Sequence, residues 1–99
     1  MKYLTEVGVR TKEVSIPKYS SVEVTFVDPL YPRVIFGNHE YKMSGRLVGK
    51  MLSGYVPDEQ QIESWVFDSV CETPTGDEVE PDGVGPDGVP SWLLLLGFV

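Results

Sequence analysis

Hydrophobic and polar residues alternate in the first half of the chain, a pattern typical of β-strands with one buried face. In the clearest example, Val22, Val24 and Phe26 are separated by polar residues. A looser alternation over residues 3–16 predicts another strand, with a break near Lys12. Both segments indicate a sheet that has one face in the core.

A turn sequence between two further β-prone runs predicts a hairpin. The runs cover residues 33–36 and 40–43, and Gly37 and Asn38 stand between them. Glycine tolerates a positive φ and suits such a turn. The N-terminal half therefore predicts an antiparallel sheet.

Helical spacing replaces alternation from residue 44 onward. Ser44 can cap a helix that Gly54 would end. Gly45 and Gly49 each weaken this helix by ~1 kcal/mol relative to alanine. Its apolar face comprises Leu47, Val48, Met51 and Leu52.

Residues 58–70 fit two patterns. Acidic residues at the start suit a helix N-terminus. Helical spacing places on one face Ile62, Trp65, Val66 and Val70. Apolar residues also alternate over residues 64–73, as in a strand. We favour the helix, and the strand stays open as the alternative.

Residues 73–90 form an acidic segment rich in proline and glycine. A Pro-Asp-Gly-Val sequence occurs there twice, starting at Pro81 and at Pro86. Each copy is a turn signal, so we expect a partly ordered surface loop. The apolar residues 91–99 follow, and they must return to the core as a buried strand or lie in a subunit interface.

The 99 residues provide one small domain, which excludes large enzyme folds. We predict the α+β class for residues 1–99. The expected architecture is a small antiparallel sheet, built from the N-terminal half and a C-terminal strand, with one or two helices packed on one face.

Charge is divided unevenly along the chain. All eight basic residues lie in the first fifty positions beside five acids, a formal net charge of +3. The remaining residues hold ten acids and no lysine or arginine, a net charge of −10. Nucleic acid is therefore not expected as a direct ligand, because its phosphates need cations to bind. A basic protein surface fits better.

The cysteine content and the apolar runs of the sequence indicate the cellular compartment. Cys71 is the single cysteine and cannot form an internal disulfide. There is no N-terminal apolar run, and the longest one, Trp92 to Leu96, is far short of the ~18 residues that span a bilayer. We expect a cytoplasmic protein without a membrane partner.

Two short motifs imitate metal sites. Residues 37–40, Gly-Asn-His-Glu, resemble a signature of calcineurin-like metallophosphoesterases, but His39 is the only histidine and cannot supply the remaining ligands. Glu78, Glu80 and Asp82 resemble the opening of a calcium loop, but Val89 stands where a glutamate should close it. We expect no enzyme, metal or cofactor.

The tail over residues 81–99, from the Pro-Asp-Gly-Val repeat to the final apolar run, resembles the ends of some short phage proteins. The resemblance implies a phage accessory protein, a class that includes inhibitors of host or defence machinery. Some of those inhibitors are acidic and occupy DNA-binding grooves by imitating phosphate charge. The expected location is then the cytoplasm of a host cell.

The sequence thus favours a non-enzymatic inhibitor or modulator whose acidic half docks on a basic surface, with nucleic-acid-binding proteins as candidate partners. Trp65 fits a core position, and it is also a candidate anchor, since tryptophan is enriched at interface hot spots. The candidate contact carboxylates are Asp58, Glu59, Glu63, Asp68, Asp77, Glu78, Glu80, Asp82 and Asp87. The alternative is an assembly subunit of a virion or homo-oligomer that uses residues 91–99 as its interface.

Overall fold

A four-stranded antiparallel sheet organises the N-terminal half, and the chain is mixed α+β as predicted. The computed structural model describes all 99 residues. The elements in chain order are β1 (Lys2–Leu4), β2 (Val9–Arg10), β3 (Ser15–Ile16), β4 (Ser21–Thr25), β5 (Arg33–Phe36), β6 (His39–Lys42), α1 (Gly45–Ser53), α2 (Glu59–Asp68), β7 (Cys71–Glu72), β8 (Glu78–Val79) and α3 (Trp92–Leu96).

The large sheet has the order β1-β4-β5-β6. Val22, Val24 and Val34 are buried on one face of the sheet. Their neighbours along the strands are exposed, which confirms the period-two pattern; these are Ser21, Glu23, Thr25, Arg33 and Ile35. Gly37, with φ of 63°, forms the turn of the β5–β6 hairpin. The predicted hairpin is therefore confirmed.

Residues 3–16 form three short strands rather than one broken strand. β1 pairs with β4, whereas β2 and β3 form a separate hairpin. The break near Lys12 is confirmed, because the Thr11 hydroxyl accepts a hydrogen bond from the backbone N–H of Val14 and closes the turn. Thr5, which follows β1, is fully buried. Its hydroxyl donates a hydrogen bond to the carbonyl of Pro17 and accepts one from the backbone N–H of Ser20.

Helix α1 lies on the inner face of the sheet and has the predicted ends. The Ser44 side chain accepts from the N–H of Leu47, and Gly54 adopts φ of 89° after the last turn. Apolar α1 side chains join the valines of the sheet in one core cluster. Gly45 and Gly49 stand where α1 approaches α3, so they serve a close contact that the sequence alone did not reveal.

Helix α2 confirms the helical interpretation of residues 58–70. Asp58 caps it by accepting from the N–H of Gln61, and Ser69 ends it in the left-handed region with φ of 57°. The strand alternative over residues 64–73 is wrong except at its end, where β7 begins. Capping at both ends favours the helix over the alternating pattern.

The acidic segment is more structured than the loop that its composition predicts. β8 lies within it and pairs with β7, and a bridge joins Val84 to Pro90. The Tyr3 hydroxyl donates to the carbonyl of Asp87 over 2.7 Å, which ties the segment to β1. Val89 is fully buried in the core with the sheet and α1.

The C-terminal strand predicted for residues 91–99 is wrong, because this segment forms helix α3. Ser91 caps it through the N–H of Leu94, and Gly97 ends it with φ of 82°. A serine and a glycine around a run of leucines are helix signals that outweigh the apolar character. α3 builds a second core cluster with Trp65 of α2 and Cys71 of β7.

The three helices divide between two core clusters. α1 packs in the cluster of the sheet, whereas α2 and α3 contribute to the second cluster, and Phe26 contacts both clusters. None of the three helices has the length and apolar character required to cross a membrane.

Candidate protein-interaction surface

Carboxylates in the second half of the chain have no basic partner. The structure contains two ion pairs, between the amino terminus and Glu23 and between Arg33 and Glu40. Both lie on the large sheet, and both are exposed to solvent. The ten acids after residue 50 therefore keep their charge uncompensated by lysine or arginine within 4 Å.

The acids of α2 have different roles. Asp58 is the helix cap, with 2.8 Å between its Oδ1 and the backbone nitrogen of Gln61. Asp68 accepts a long hydrogen bond of 3.4 Å from the Ser64 hydroxyl. Glu59 and Glu63 are exposed, and their carboxylates form no hydrogen bond or ion pair. These two are free to meet a partner.

The acids of the acidic segment divide in the same way. Asp87 is half-buried and accepts from the Thr75 hydroxyl over 2.6 Å and from the N–H of Val89 over 3.2 Å. The carboxylates of Asp77 and Asp87 both lie against Gly85, where a larger residue would crowd them. These hydrogen bonds and contacts make the two aspartates part of the segment's scaffold.

Three other acids of the segment project into solvent. Glu78, Glu80 and Asp82 are exposed, and their carboxylates have no hydrogen-bond partner in the protein. Gly83 closes the turn between them by donating to the carbonyl of Glu80 over 2.8 Å. No group of three or more His, Cys, Asp or Glu side chains converges closely enough to hold a metal ion.

Trp65 does not lie on the surface, so its assignment as a partner-binding residue is wrong. Its side chain is 6% exposed and packs with Trp92, Leu93 and Leu95. Trp65 is the buried residue of α2, and Ile62 packs against the same cluster, so these two side chains anchor the helix to the second core. Trp65 is therefore a structural residue.

The exposed aromatic residue of α2 is Phe67, which sequence reasoning missed. Phe67 is 89% exposed and its neighbour Val66 is 55% exposed. Two positions correspond to about 200° around a helix, so Phe67 points away from the core that Trp65 enters. The signal was present in the sequence, because Phe67 falls outside the predicted apolar face.

Helical spacing places acids beside this phenylalanine. Glu59, Glu63 and Phe67 follow one another at intervals of four, and Val66 lies three positions after Glu63. We refer to these four residues as the outer face of α2. An aromatic group next to two unpaired carboxylates can contact an apolar surface that is bordered by cations.

A surface concavity of about 480 Å³ lies on the sheet half of the molecule. Thr25, Arg33 and Lys42 are direct neighbours there on β4, β5 and β6. The Lys42 ammonium lies 5.6 Å from the centre of the Tyr31 ring. Asp28 also lines the concavity, so it combines two cations with one carboxylate.

Two remaining predicted features have structural explanations. His39 is exposed in the β5–β6 hairpin, where its ring lies 6.2 Å from that of Tyr41. Cys71 is fully buried and packs as a small apolar residue. Neither side chain belongs to a group of three or more residues that could hold a metal ion.

The apolar segment 91–99 is divided between the core and the surface. Trp92, Leu93 and Leu95 are at most 1% exposed, whereas Phe98 and Val99 are more than half exposed. Leu94 and Leu96 are half-buried, so contact with another subunit would use Phe98, Val99 and the exposed parts of these two leucines.

Comparison of the chain with protein-family models, with curated proteins and with solved structures finds no significant match.

Proposed function

We propose that this protein is a non-enzymatic binding protein that docks its acidic half on a basic surface of another protein and modulates or inhibits it. The observation that carries the proposal is the set of carboxylates without basic partners, on α2 and the acidic segment. A surface of one charge sign attracts an opposite surface over a distance and raises the association rate.

The partner surface is rich in lysine and arginine. Nucleic-acid-binding proteins carry such surfaces in order to bind phosphates, and exposed carboxylates can compete for the same cations. The resemblance of residues 81–99 to phage proteins favours a host or defence protein as the partner. That interaction would take place in the cytoplasm of the host cell.

The test combines salt with charge reversal. The immobilised protein is expected to retain purified basic nucleic-acid-binding proteins at about 50 mM salt and to release them at about 500 mM, since salt screens exposed charges. The variant with Glu78→Lys, Glu80→Lys and Asp82→Lys should lose this binding. The three side chains are exposed and form no hydrogen bond, so folding should be unaffected.

A matched pair of double variants controls for net charge. Glu78→Lys with Glu80→Lys changes the charge by the same amount as Glu6→Lys with Glu13→Lys, and all four residues are exposed. Only the first pair should weaken binding. Binding that is insensitive to salt, or equal losses in the two double variants, would contradict the proposal.

Assembly into a homo-oligomer through residues 91–99 is the alternative, and the burial of Trp92, Leu93 and Leu95 in the chain's own core weakens it. Sedimentation at several protein concentrations distinguishes the two functions. A monomer at all concentrations supports the acidic binding protein, whereas a stable oligomer that Phe98→Ser disrupts would support assembly.

A further inference from the structure

We propose that the outer face of α2 is the contact surface for the basic partner, with Phe67 inserted into an apolar cleft that lysines or arginines border. This inference rests on the proposed function and adds a specific anchor to it. The carboxylates alone explain attraction to a basic surface, but they do not define where the two proteins touch.

The exposure of Phe67 is the first argument. At 89% exposed, its ring is almost as accessible as that of an unfolded chain, although α2 is capped and packed through Trp65. The ring has no aromatic or cationic neighbour within the protein. Aromatic residues that anchor interfaces are exposed in the free protein and are buried on binding.

The neighbouring charges are the second argument, because they indicate which partner fits. Glu63 lies about one turn and Glu59 about two turns before Phe67, and neither carboxylate is paired. An apolar residue next to unpaired carboxylates complements a cleft with a cationic rim, as when a helix binds in a groove. The same carboxylates would repel an anionic lipid surface.

A second copy of this chain is a poorer occupant. The cations of the sheet half are partly engaged, since Arg33 pairs with Glu40 while Lys42 and Lys18 lie near the rings of Tyr31 and Tyr19. A foreign surface with free lysines and arginines offers more complementary charge. We therefore assign the outer face of α2 to a different, basic protein.

The experiment uses the full chain and two synthetic helical peptides of equal positive charge. One peptide combines arginine with leucine on a single face, and the other has alanine in place of leucine. Fluorescence anisotropy at low salt should show that the leucine peptide binds at least about tenfold more tightly than the alanine peptide, because its leucines can contact the Phe67 ring. Amide shift changes in labelled protein should centre on α2.

Phe67→Ala should abolish most of the preference for the leucine peptide and leave binding to the alanine peptide unchanged. Val66→Ala should reduce the preference by a smaller factor. Val27→Ala provides the matched control, because this valine is 90% exposed outside α2 and its loss should have no effect. Circular dichroism should be the same for all variants, since the side chains removed are exposed.

The possible failures are distinguishable. If neither peptide binds at low salt, the proposed function fails together with this inference. If both peptides bind equally well, or if Phe67→Ala keeps the preference, the anchor is wrong while the charge-based function stands. Concentration-dependent sedimentation that Phe67→Ala abolishes would instead show that the outer face of α2 contacts a second copy, and would overturn the assignment.

Discussion

Gly49 is expected to be essential where α1 meets α3, and Gly49→Ala tests this. A methyl group at this position would overlap the six-membered ring of Trp92, at Cζ3, Cη2 and Cε3. Trp92 is fully buried, so its ring has no free space into which to move. The substitution therefore forces α1 and α3 apart.

Two effects of opposite sign determine the magnitude. Alanine improves the helix by about 0.8–1.0 kcal/mol relative to glycine. Overpacking a close-packed interior costs about 1–3 kcal/mol, and the upper value applies because a buried, rigid indole is the obstacle. The net expectation is a loss of about 2 kcal/mol in the free energy of unfolding, which lowers Tm by about 8–16 °C in a domain of this size.

Urea denaturation followed by circular dichroism measures this loss, and a double-mutant cycle tests its cause. Trp92→Phe removes the outer ring atoms that the methyl group would meet. The loss of unfolding free energy in the double variant should then be at least about 1 kcal/mol smaller than the sum of the two single losses. A Gly49→Ala protein as stable as the wild type, or strictly additive losses, would refute the argument.

Two further predictions concern the acidic segment and α2. Burial, together with the charge of Asp87, raises the pKa of Tyr3 above 10.0. Because the unfolded tyrosine ionises first, the wild type should lose stability as the pH rises from 10 toward the folded pKa, and its advantage of about 0.5–1.5 kcal/mol over Tyr3→Phe at pH 8 should shrink in urea titrations. A stability difference that stays constant with pH would contradict this assignment. Asp58→Ala should lower the free energy of unfolding by about 1 kcal/mol through loss of the α2 cap. The neighbouring Glu59→Ala should leave the free energy of unfolding within about 0.5 kcal/mol of the wild type. Equal urea midpoints for the two variants would show that the cap contributes nothing.

Sequence patterns were sufficient for elements whose signals are local. The alternation around Val24, the glycine turn at Gly37, the Ser44 cap and the acidic start of residues 58–70 all correspond to the observed strands, hairpin and helices. These signals depend on neighbours within a few residues along the chain, so tertiary contacts are not needed to interpret them.

The candidate surface was only partly predictable. Net charge per half follows from counting residues, and the absence of nearby cations in the structure agrees with the counted excess. Which residues of the predicted apolar face are exposed could not be counted in that way. Trp65 and Val66 both belong to that face, and only the rotation of α2 against the second core decides that Trp65 is buried and Val66 is 55% exposed.

The sequence by itself determined the α+β class, the sheet of the N-terminal half and the concentration of negative charge after residue 50. Only the tertiary structure decided that Gly45 and Gly49 serve the close approach of α1 to α3, that Gly49 accommodates Trp92 and that Val89 is buried in the core. The physical reason is that packing joins residues distant in the chain, and the orientation of each apolar side chain depends on which distant partner fills the space beside it.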